Sequence, residues 1–113
     1  MSNIVLSSHV LDTASGKPAV GLFVELYKRK DNNWLLWHNT MTNSDGRIRF
    51  PFTEDSMGAG IYKLHFNVGD YFQGMDKETF YPYVEIVFKI KQGEHYHVPL
   101  LLSPFGYSTY RGS

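Results

Sequence analysis

Hydrophobic side chains recur at every second position along most of this sequence, and that spacing limits what the chain can fold into. In residues 62–68 the alternating positions are tyrosine, leucine, phenylalanine and valine, with lysine, histidine and asparagine between them. Because successive side chains of a strand point to opposite faces, this spacing predicts strands buried on one face. Turn-forming residues interrupt the pattern at short intervals, which favours many short strands over helices. We therefore predict an all-β fold, a β-sandwich of two sheets around one core.

The turn signals divide the alternating pattern into about eight strands. We expect the first over residues 4–10, followed by strands near residues 22–26, 34–42, 48–52, 62–68, 83–90 and 96–102. A last strand is expected to run from about Gly106 to the end, so that the tail is a strand and not a loose terminus. A short segment from Asp70 to about Met75 is the one helix candidate, with the aspartate near its N-terminus.

Length and charge narrow the functions open to the chain. With 113 residues, 42% of them hydrophobic, the sequence suits a single domain over residues 1–113. Eleven basic and eleven acidic residues cancel without forming a run of one sign, so we expect neither nucleic acid nor a membrane as a partner. The lack of cysteine excludes disulfides, cysteine nucleophiles and thiolate metal sites. Small molecules or further copies of the chain are the expected partners.

Three histidines lie where the alternation makes them candidate site residues. His9 shares a strand face with Ser7, where a hydrogen-bonded structural role is the alternative to a chemical one. His95 and His97 share a face of another strand and could ligate zinc together with a third ligand from elsewhere. Without cysteine or a nearby cluster of carboxylates, the spacing of this pair is weak evidence for a dedicated site. We therefore predict no metal.

Arginines and the C-terminal residues are a second kind of candidate. Arg47 and Arg49 share a strand face just after a turn, where a fixed guanidinium could hold a planar ligand by paired hydrogen bonds. Arg111 offers the same fork, Tyr110 a ring or a hydroxyl, and Ser113 a hydroxyl beside the terminal carboxylate. No serine lies in a nucleophile-elbow sequence, so a Ser-His-Asp mechanism has little support. Spacing alone indicates a β-sandwich with a candidate histidine and arginine site.

A more specific signal lies in the motifs themselves. Residues 95–113 read HYHVPLLLSPFGYSTYRGS, and this segment resembles the C-terminal signature of the transthyretin-related family, of which YRGS is the diagnostic end. Residues 8–12 with 16–19, residues 45–47, and residues 69–72 with 80–82 agree with the same family, so the resemblance spans essentially the whole chain. Transthyretin itself, the thyroid-hormone carrier, lacks the histidines and the YRGS end. The likeness is therefore to the hydrolase branch, the 5-hydroxyisourate hydrolases.

The resemblance implies an eight-stranded sandwich with one short helix, assembled as a homotetramer. Active sites of the family lie in a channel between dimers, which implies that the C-terminal strand is buried by assembly and that its last residues line the cleft. The implied catalytic residues of this chain are His9, Arg47 and His97. The implied substrate-binding residues are Tyr110, Arg111, Gly112 and Ser113.

The implied reaction is hydrolysis of a ring amide of 5-hydroxyisourate, which gives 2-oxo-4-hydroxy-4-carboxy-5-ureidoimidazoline in the degradation of urate to allantoin. On this interpretation His9 accepts a proton from the attacking water, as a histidine can at neutral pH. Arg47 disfavours a charged His9 and stabilises the developing oxyanion, while His97 orients the water or relays a proton. The reaction requires no metal or organic cofactor. Two alternatives stay open: a carrier of an aromatic ligand in the same channel, and an interaction module.

The sequence contains no recognisable targeting signal. Its first residues lack the charged and apolar regions of a signal peptide, no stretch is long enough to span a bilayer, and the chain does not end in Ser-Lys-Leu. Members of the family occur in the cytoplasm, in peroxisomes and in the bacterial periplasm. We take the cytoplasm as the default expectation, with peroxisomes as the alternative.

Overall fold

The computed structural model describes residues 4–112, and within them nine strands and one helix form two sheets. The strands are β1 (Leu6–Asp12), β2 (Lys17–Pro18), β3 (Phe23–Lys30), β4 (Asn33–Met41), β5 (Arg47–Arg49), β6 (Gly60–Phe66), β7 (Val84–Ile90), β8 (Tyr96–Ser103) and β9 (Gly106–Thr109), and the helix is α1 (Val68–Gln73). In the first sheet β1 lies between β8 on one side and both β2 and β5 on the other, and β9 follows β8. The second sheet has the order β4-β3-β6-β7. The predicted all-β sandwich with one short helix is confirmed.

The core lies between the two sheets and follows the alternation seen in the sequence. In β1 the side chains of Leu6 and Val10 are fully buried, whereas Ser7 and His9 are only half-buried. Alternate residues of β6 and β8 are buried in the same way. Neighbouring strand residues point to opposite faces. One face of the first sheet therefore packs against the core, and the opposite face, which carries His9, points away from the core.

Residues with positive φ join the strands at the predicted turns. Asp31 and Asn32, between β3 and β4, have φ of 52° and 66°, values that asparagine and aspartate tolerate better than most residues. Gly46, before β5, has φ of 73°, and a Cβ at this position would lie 2.6 Å from the carbonyl oxygen of Val10. Since the Gly46 carbonyl accepts a hydrogen bond from the Val10 N–H at 2.8 Å, this close approach fixes the start of β5 against β1.

Several element boundaries differ from the prediction. The turn region after β1 contains the two-residue strand β2, which pairs with the end of β1 and gives nine strands in the described residues instead of about eight. The helix begins at Val68, ahead of the predicted Asp70, because Val68 and Phe72 are both buried on its core-facing side. This helix has six residues, and no helix within residues 4–112 is long and apolar enough to cross a membrane.

The last predicted strand is interrupted, and Pro99 explains why. Pairing between β8 and β9 continues as far as Thr109, so the next position would pair Pro99 with Tyr110, but proline has no backbone N–H to donate. The tail nevertheless keeps the same register, because Gly112 forms a bridge with His97 and donates its N–H to the His97 carbonyl at 2.7 Å. Residues 110–112 therefore stay alongside β8 without forming a regular ladder.

Candidate functional site

Strand pairing brings the three predicted catalytic residues to the outer face of the first sheet. His9 on β1 lies opposite Arg47 on β5 and beside Pro99 on β8. On the same face, two residues back along β1, Ser7 lies beside His97 of β8. Because residues two apart along a strand share a face, these side chains converge on one surface. We call His9, Arg47 and His97 the outer-face group.

His97 is held from both sides. Its Nδ1 lies 2.8 Å from the Ser7 hydroxyl oxygen, across the β1–β8 pair. On the β9 side Gly112 packs against the ring so closely that a Cβ built there would lie 2.7 Å from His97 Cδ2. Nδ1 and Cδ2 are the two ring atoms bonded to Cγ, so the edge that carries Nε2 points away from the sheet. That edge is available to a water molecule or a ligand.

The surroundings of His97 favour its neutral form. Burial is the largest cause that lowers the pKa of His97 below its usual value of 6.5, and the charges of Arg47 and of a protonated His9 lower it further. The three side chains of the outer-face group therefore interact through space. A neutral imidazole retains a lone pair that can accept a proton from water.

The side chains of His9 and Arg47 are free to bind a ligand. Within residues 4–112 neither side chain forms a hydrogen bond or an ion pair. The backbone of Arg47 is nevertheless fixed, because its N–H donates to Asn43 Oδ1 at 2.9 Å and its carbonyl accepts from the Asn43 N–H at 3.0 Å. An anchored backbone with an exposed guanidinium suits recognition of a planar, oxygen-rich molecule.

Arg111 points away from the outer-face group. Its Nη2 donates to Glu94 Oε1 at 3.2 Å and to the His95 carbonyl at 2.9 Å. Its guanidinium carbon lies 4.5 Å from the centre of the Tyr96 ring. Tyr96 is buried on the core side of β8, whereas the next residue, His97, faces outwards. In a single chain the structure therefore does not bring Arg111 to the predicted site.

The other tail residues have different positions. The register of the tail places Tyr110 beside Pro99, and the residue is 58% exposed. Gly112 contacts His97 directly. Ser113 lies outside the described residues, so its predicted contact with the substrate stays a prediction.

A cleft of about 250 Å³ opens between the edge strands β7 and β9. Phe88 of β7, Tyr96 and Val98 of β8, and Arg111 are among its lining residues, and no member of the outer-face group is. Because Tyr96 and Val98 point to the core side of β8, the cleft lies on the opposite side of the sheet from His97. The cleft is separate from the outer-face group, although the predicted substrate-binding residues Tyr110 and Arg111 both line it.

Zinc binding by His95 and His97 would require a third ligand, and the described residues provide none. Nδ1 of His95 lies 2.9 Å from the Ile4 carbonyl oxygen, and Nδ1 of His97 contacts Ser7. Within residues 4–112 no three histidine, cysteine, aspartate or glutamate side chains are grouped so that they could hold a metal ion.

Ser7 is the site residue to which the sequence analysis assigned no role. Alternation along β1 puts it on the face of His9, and this was the only local signal. Its contact with His97 joins positions 90 residues apart, through a parallel strand pair that no local pattern indicates.

Comparisons with known proteins show the family of the chain. A family model described as HIUase/Transthyretin family matches residues 6–112. The chain belongs to the HIUase/transthyretin family. The 5-hydroxyisourate hydrolase of Salmonella typhimurium is 47% identical over 112 residues, which cover 98% of this chain and 82% of that protein.

Two solved structures show that backbone shape does not separate the branches of the HIUase/transthyretin family. Transthyretin from Sparus aurata has a TM-score of 0.92 at 28% identity, over 97% of this chain and 97% of that one. Klebsiella pneumoniae 5-hydroxyisourate hydrolase has a TM-score of 0.83 at 36% identity, over 96% of this chain and 98% of that one. The TM-score is higher for transthyretin, whereas the sequence identity is higher for the hydrolase. The side chains of the site must therefore show which of the two functions this chain has.

We expect Gly112→Ala to displace the His97 ring in this member of the HIUase/transthyretin family. The added carbon would lie 2.7 Å from His97 Cδ2 and 3.3 Å from its Cβ, too close for carbon atoms in contact. The NMR signals of the His97 ring should shift markedly. Gly106→Ala is the matched control, because its added carbon would meet nothing closer than the Ser103 hydroxyl oxygen at 3.7 Å. Equal shifts in the two variants would contradict the packing of Gly112 on the ring.

We also expect His97 to titrate below 6.5 in this family member. Burial and nearby positive charge both disfavour the imidazolium, so the pKa of His97 is lowered and the neutral form persists as the pH falls towards 6.5. NMR titration of the ring measures the midpoint. Arg47→Gln removes one of the charges and should raise the midpoint. A wild-type midpoint above 6.5, or no response to Arg47→Gln, would show that the ring lies in a different environment.

Proposed function

We propose that this chain is a hydrolase of 5-hydroxyisourate. The observation that carries the proposal is the convergence of two histidines and an arginine on one open sheet face, in a chain that is 47% identical to a hydrolase of that name. In the proposed reaction the oxygen of water bonds to a ring carbonyl carbon and the ring C–N bond breaks. The released nitrogen takes up a proton, and the product carries a carboxyl group where the ring amide was.

The two histidines divide the handling of water in this proposal. His9, whose imidazole has no hydrogen-bond partner within residues 4–112, accepts the proton as the water attacks. His97 supports the attack from the adjacent strand β8, where its Nε2 edge points away from the sheet, orients the water and relays its proton towards His9. A well-placed general base contributes about 10²- to 10⁴-fold to a rate.

Arg47 supplies positive charge where negative charge develops. As water adds, the carbonyl oxygen becomes an oxyanion, and the guanidinium N–H groups stabilise it by charge-assisted hydrogen bonds. The same charge helps to keep His97 neutral, since Arg47 is one of the causes that lower the pKa of His97. Arg47 thus stabilises the oxyanion and also helps to keep His97 in its neutral form.

We infer that assembly as a homotetramer completes the site. In a single chain the outer-face group is open, with Arg47 exposed and both histidines only half-buried. A neighbouring copy over this face would exclude water and strengthen the interactions of the charges below it. Arg111 takes part in substrate binding only if its guanidinium leaves Glu94 and the Tyr96 ring, or if it serves a neighbouring copy. Sedimentation of the active protein tests the assembly, and a fully active monomer would overturn it.

The proposed reaction is tested by generating 5-hydroxyisourate from urate with urate oxidase and following its ultraviolet absorbance after this protein is added. Faster decay than the spontaneous rate, with an optically active product seen by circular dichroism, is the expected result. Decay at the spontaneous rate in the presence of the folded protein would overturn the proposal. The carrier alternative predicts that outcome together with a shift in the melting temperature on binding an aromatic ligand.

We expect Arg47→Lys to lower kcat by about 10- to 100-fold, because an ammonium keeps the charge but loses the planar fork that meets an oxyanion. Arg49→Lys is the matched control on the same strand and the same exposed face. It faces Ser7 in the β1–β5 register, whereas Arg47 faces His9. Equal losses in both variants would mean that general positive charge, and not the position of Arg47, supports the reaction.

A further inference from the structure

Within residues 4–112, the contact between Ser7 and His97 is the one hydrogen bond formed by a side chain of the outer-face group. We propose that Ser7 is a positioning residue, which accepts a hydrogen bond from Nδ1–H of His97 and so directs the Nε2 lone pair of that ring towards the attacking water. This inference rests on the proposed hydrolase function. It concerns a residue that touches neither water nor substrate and acts only through His97.

No other group within residues 4–112 competes with His97 for the Ser7 hydroxyl. Its hydroxyl lies 2.8 Å from His97 Nδ1 and, within residues 4–112, forms no other hydrogen bond. The parallel pairing of β1 and β8 places the two residues side by side. With Gly112 against the other edge of the ring, rotation about the side chain is restricted from both sides. The contacts on both sides therefore hold the ring with Nδ1 towards Ser7 and Nε2 away from the sheet.

The direction of this hydrogen bond determines what His97 can do. If Nδ1–H donates to Ser7, the neutral ring has its lone pair on Nε2 and can accept a hydrogen bond from water. If the serine hydroxyl donates to Nδ1, then Nε2 carries the hydrogen and can only donate. Water activation needs the first arrangement, because the lone pair must face the site.

The two arrangements also differ in how loss of the hydroxyl changes the basicity of the ring. A bond from Nδ1–H becomes stronger when the ring is protonated, so its removal lowers the pKa of His97. A bond to the Nδ1 lone pair stabilises only the neutral ring, so its removal raises the pKa. The other charged or titratable side chains on or beside this face are His9 on β1, Arg47 and Arg49 on β5, and Tyr110 in the tail. None of them is changed by a substitution at Ser7.

Ser8 is a matched control next to Ser7. Its hydroxyl is buried on the core side of β1 and donates to the Val98 carbonyl at 2.7 Å. Ser8→Ala therefore removes a serine hydroxyl from the same strand and the same neighbouring strand β8, but on the face away from His97. We expect it to lower the melting temperature and to leave the His97 ring unchanged.

The first experiment is nitrogen NMR of the histidine rings in the wild type, Ser7→Ala, Ser7→Thr and Ser8→Ala. We expect His97 of the wild type to be protonated on Nδ1, and we expect Ser7→Ala to lose this preference and to titrate at lower pH. Threonine keeps the hydroxyl and suits a strand, so Ser7→Thr should restore the wild-type signals. A wild-type ring protonated on Nε2, or a pKa that rises in Ser7→Ala, would overturn the proposal.

Kinetics provide the second measurement. Loss of one neutral hydrogen bond should lower kcat about 3- to 10-fold in Ser7→Ala with KM little changed, and Ser7→Thr should recover the rate. An unchanged kcat in Ser7→Ala would contradict the positioning role of Ser7 even if the wild type is an active hydrolase. If no variant and no wild-type sample hydrolyses 5-hydroxyisourate, the proposed function fails, whereas the NMR result on the ring still decides what Ser7 does to His97.

Discussion

Replacing His97 by glutamine is expected to lower kcat for 5-hydroxyisourate hydrolysis by about 10²- to 10⁴-fold, the usual effect of losing a positioned acid–base group. Glutamine keeps a polar amide near the position of Nε2 but cannot accept a proton at neutral pH, so the loss would come from proton chemistry. KM should change little, because Arg47 remains in place. Initial rates of absorbance decay, corrected for the spontaneous reaction, give kcat and KM separately.

His95→Gln is the matched control for this prediction. His95 is exposed, and its side-chain contact, from Nδ1 to the Ile4 carbonyl oxygen at 2.9 Å, lies at the surface, so its loss should matter little. We expect its rate to stay within about twofold of the wild type, as for most surface changes. If His95→Gln is as damaging as His97→Gln, or if His97→Gln is fully active, the outer-face group is not the catalytic site.

Deletion of residues 110–113 is expected to reduce activity by more than about 100-fold while the sandwich stays folded. The deletion removes the Gly112 bridge and its contact with the His97 ring, and misplacement of a reacting group by about 1 Å can cost about 10²-fold. Its effect on stability should be small. Tyr110 and Arg111 are exposed, and the ion pair of Arg111 with Glu94 lies at the surface.

Circular dichroism and the melting temperature show whether the deleted protein is folded, and the absorbance assay gives its rate. Removal of Ser113 alone is the matched variant, because it leaves Gly112 to bridge His97. A rate loss from the shorter deletion would report on Ser113 itself, and a further loss from the longer one on residues 110–112. A longer deletion with wild-type rates would remove the tail from the site.

The strands could be predicted because alternation is a local signal. Residues 62–66 alternate clearly and lie in β6 with buried alternate positions, whereas Val68, the last residue of the predicted strand, begins α1. The short strand β2 could not be predicted, because two exposed residues in a turn region have no pattern and pair only where β1 extends beside them. Pro99 interrupts the last strand through a missing donor on the neighbouring strand, which requires knowledge of the pairing.

The site residues were predicted from motifs, and their arrangement was not. His9 and Arg47 lie opposite each other because of the β1–β5 register, which the turn at Gly46 sets. The contact of Ser7 with His97 and the position of Arg111 on the Tyr96 ring depend on strands that are distant in sequence. Motif likeness identifies which side chains are present, whereas only the register shows which of them meet.

The β1–β8 pair also bears on how the protein is made. It is the one parallel pair among the strands of residues 4–112, and its Ser7–His97 contact closes a loop of 90 residues. Closing long loops costs entropy, and contacts between distant residues slow folding. The sheet of β3, β4, β6 and β7 can pair on a nascent chain before β8 has been synthesised. The pairing of Ser7 with His97 cannot, so all residues up to β8 must have left the ribosome before the side chains of His9, Arg47 and His97 can meet.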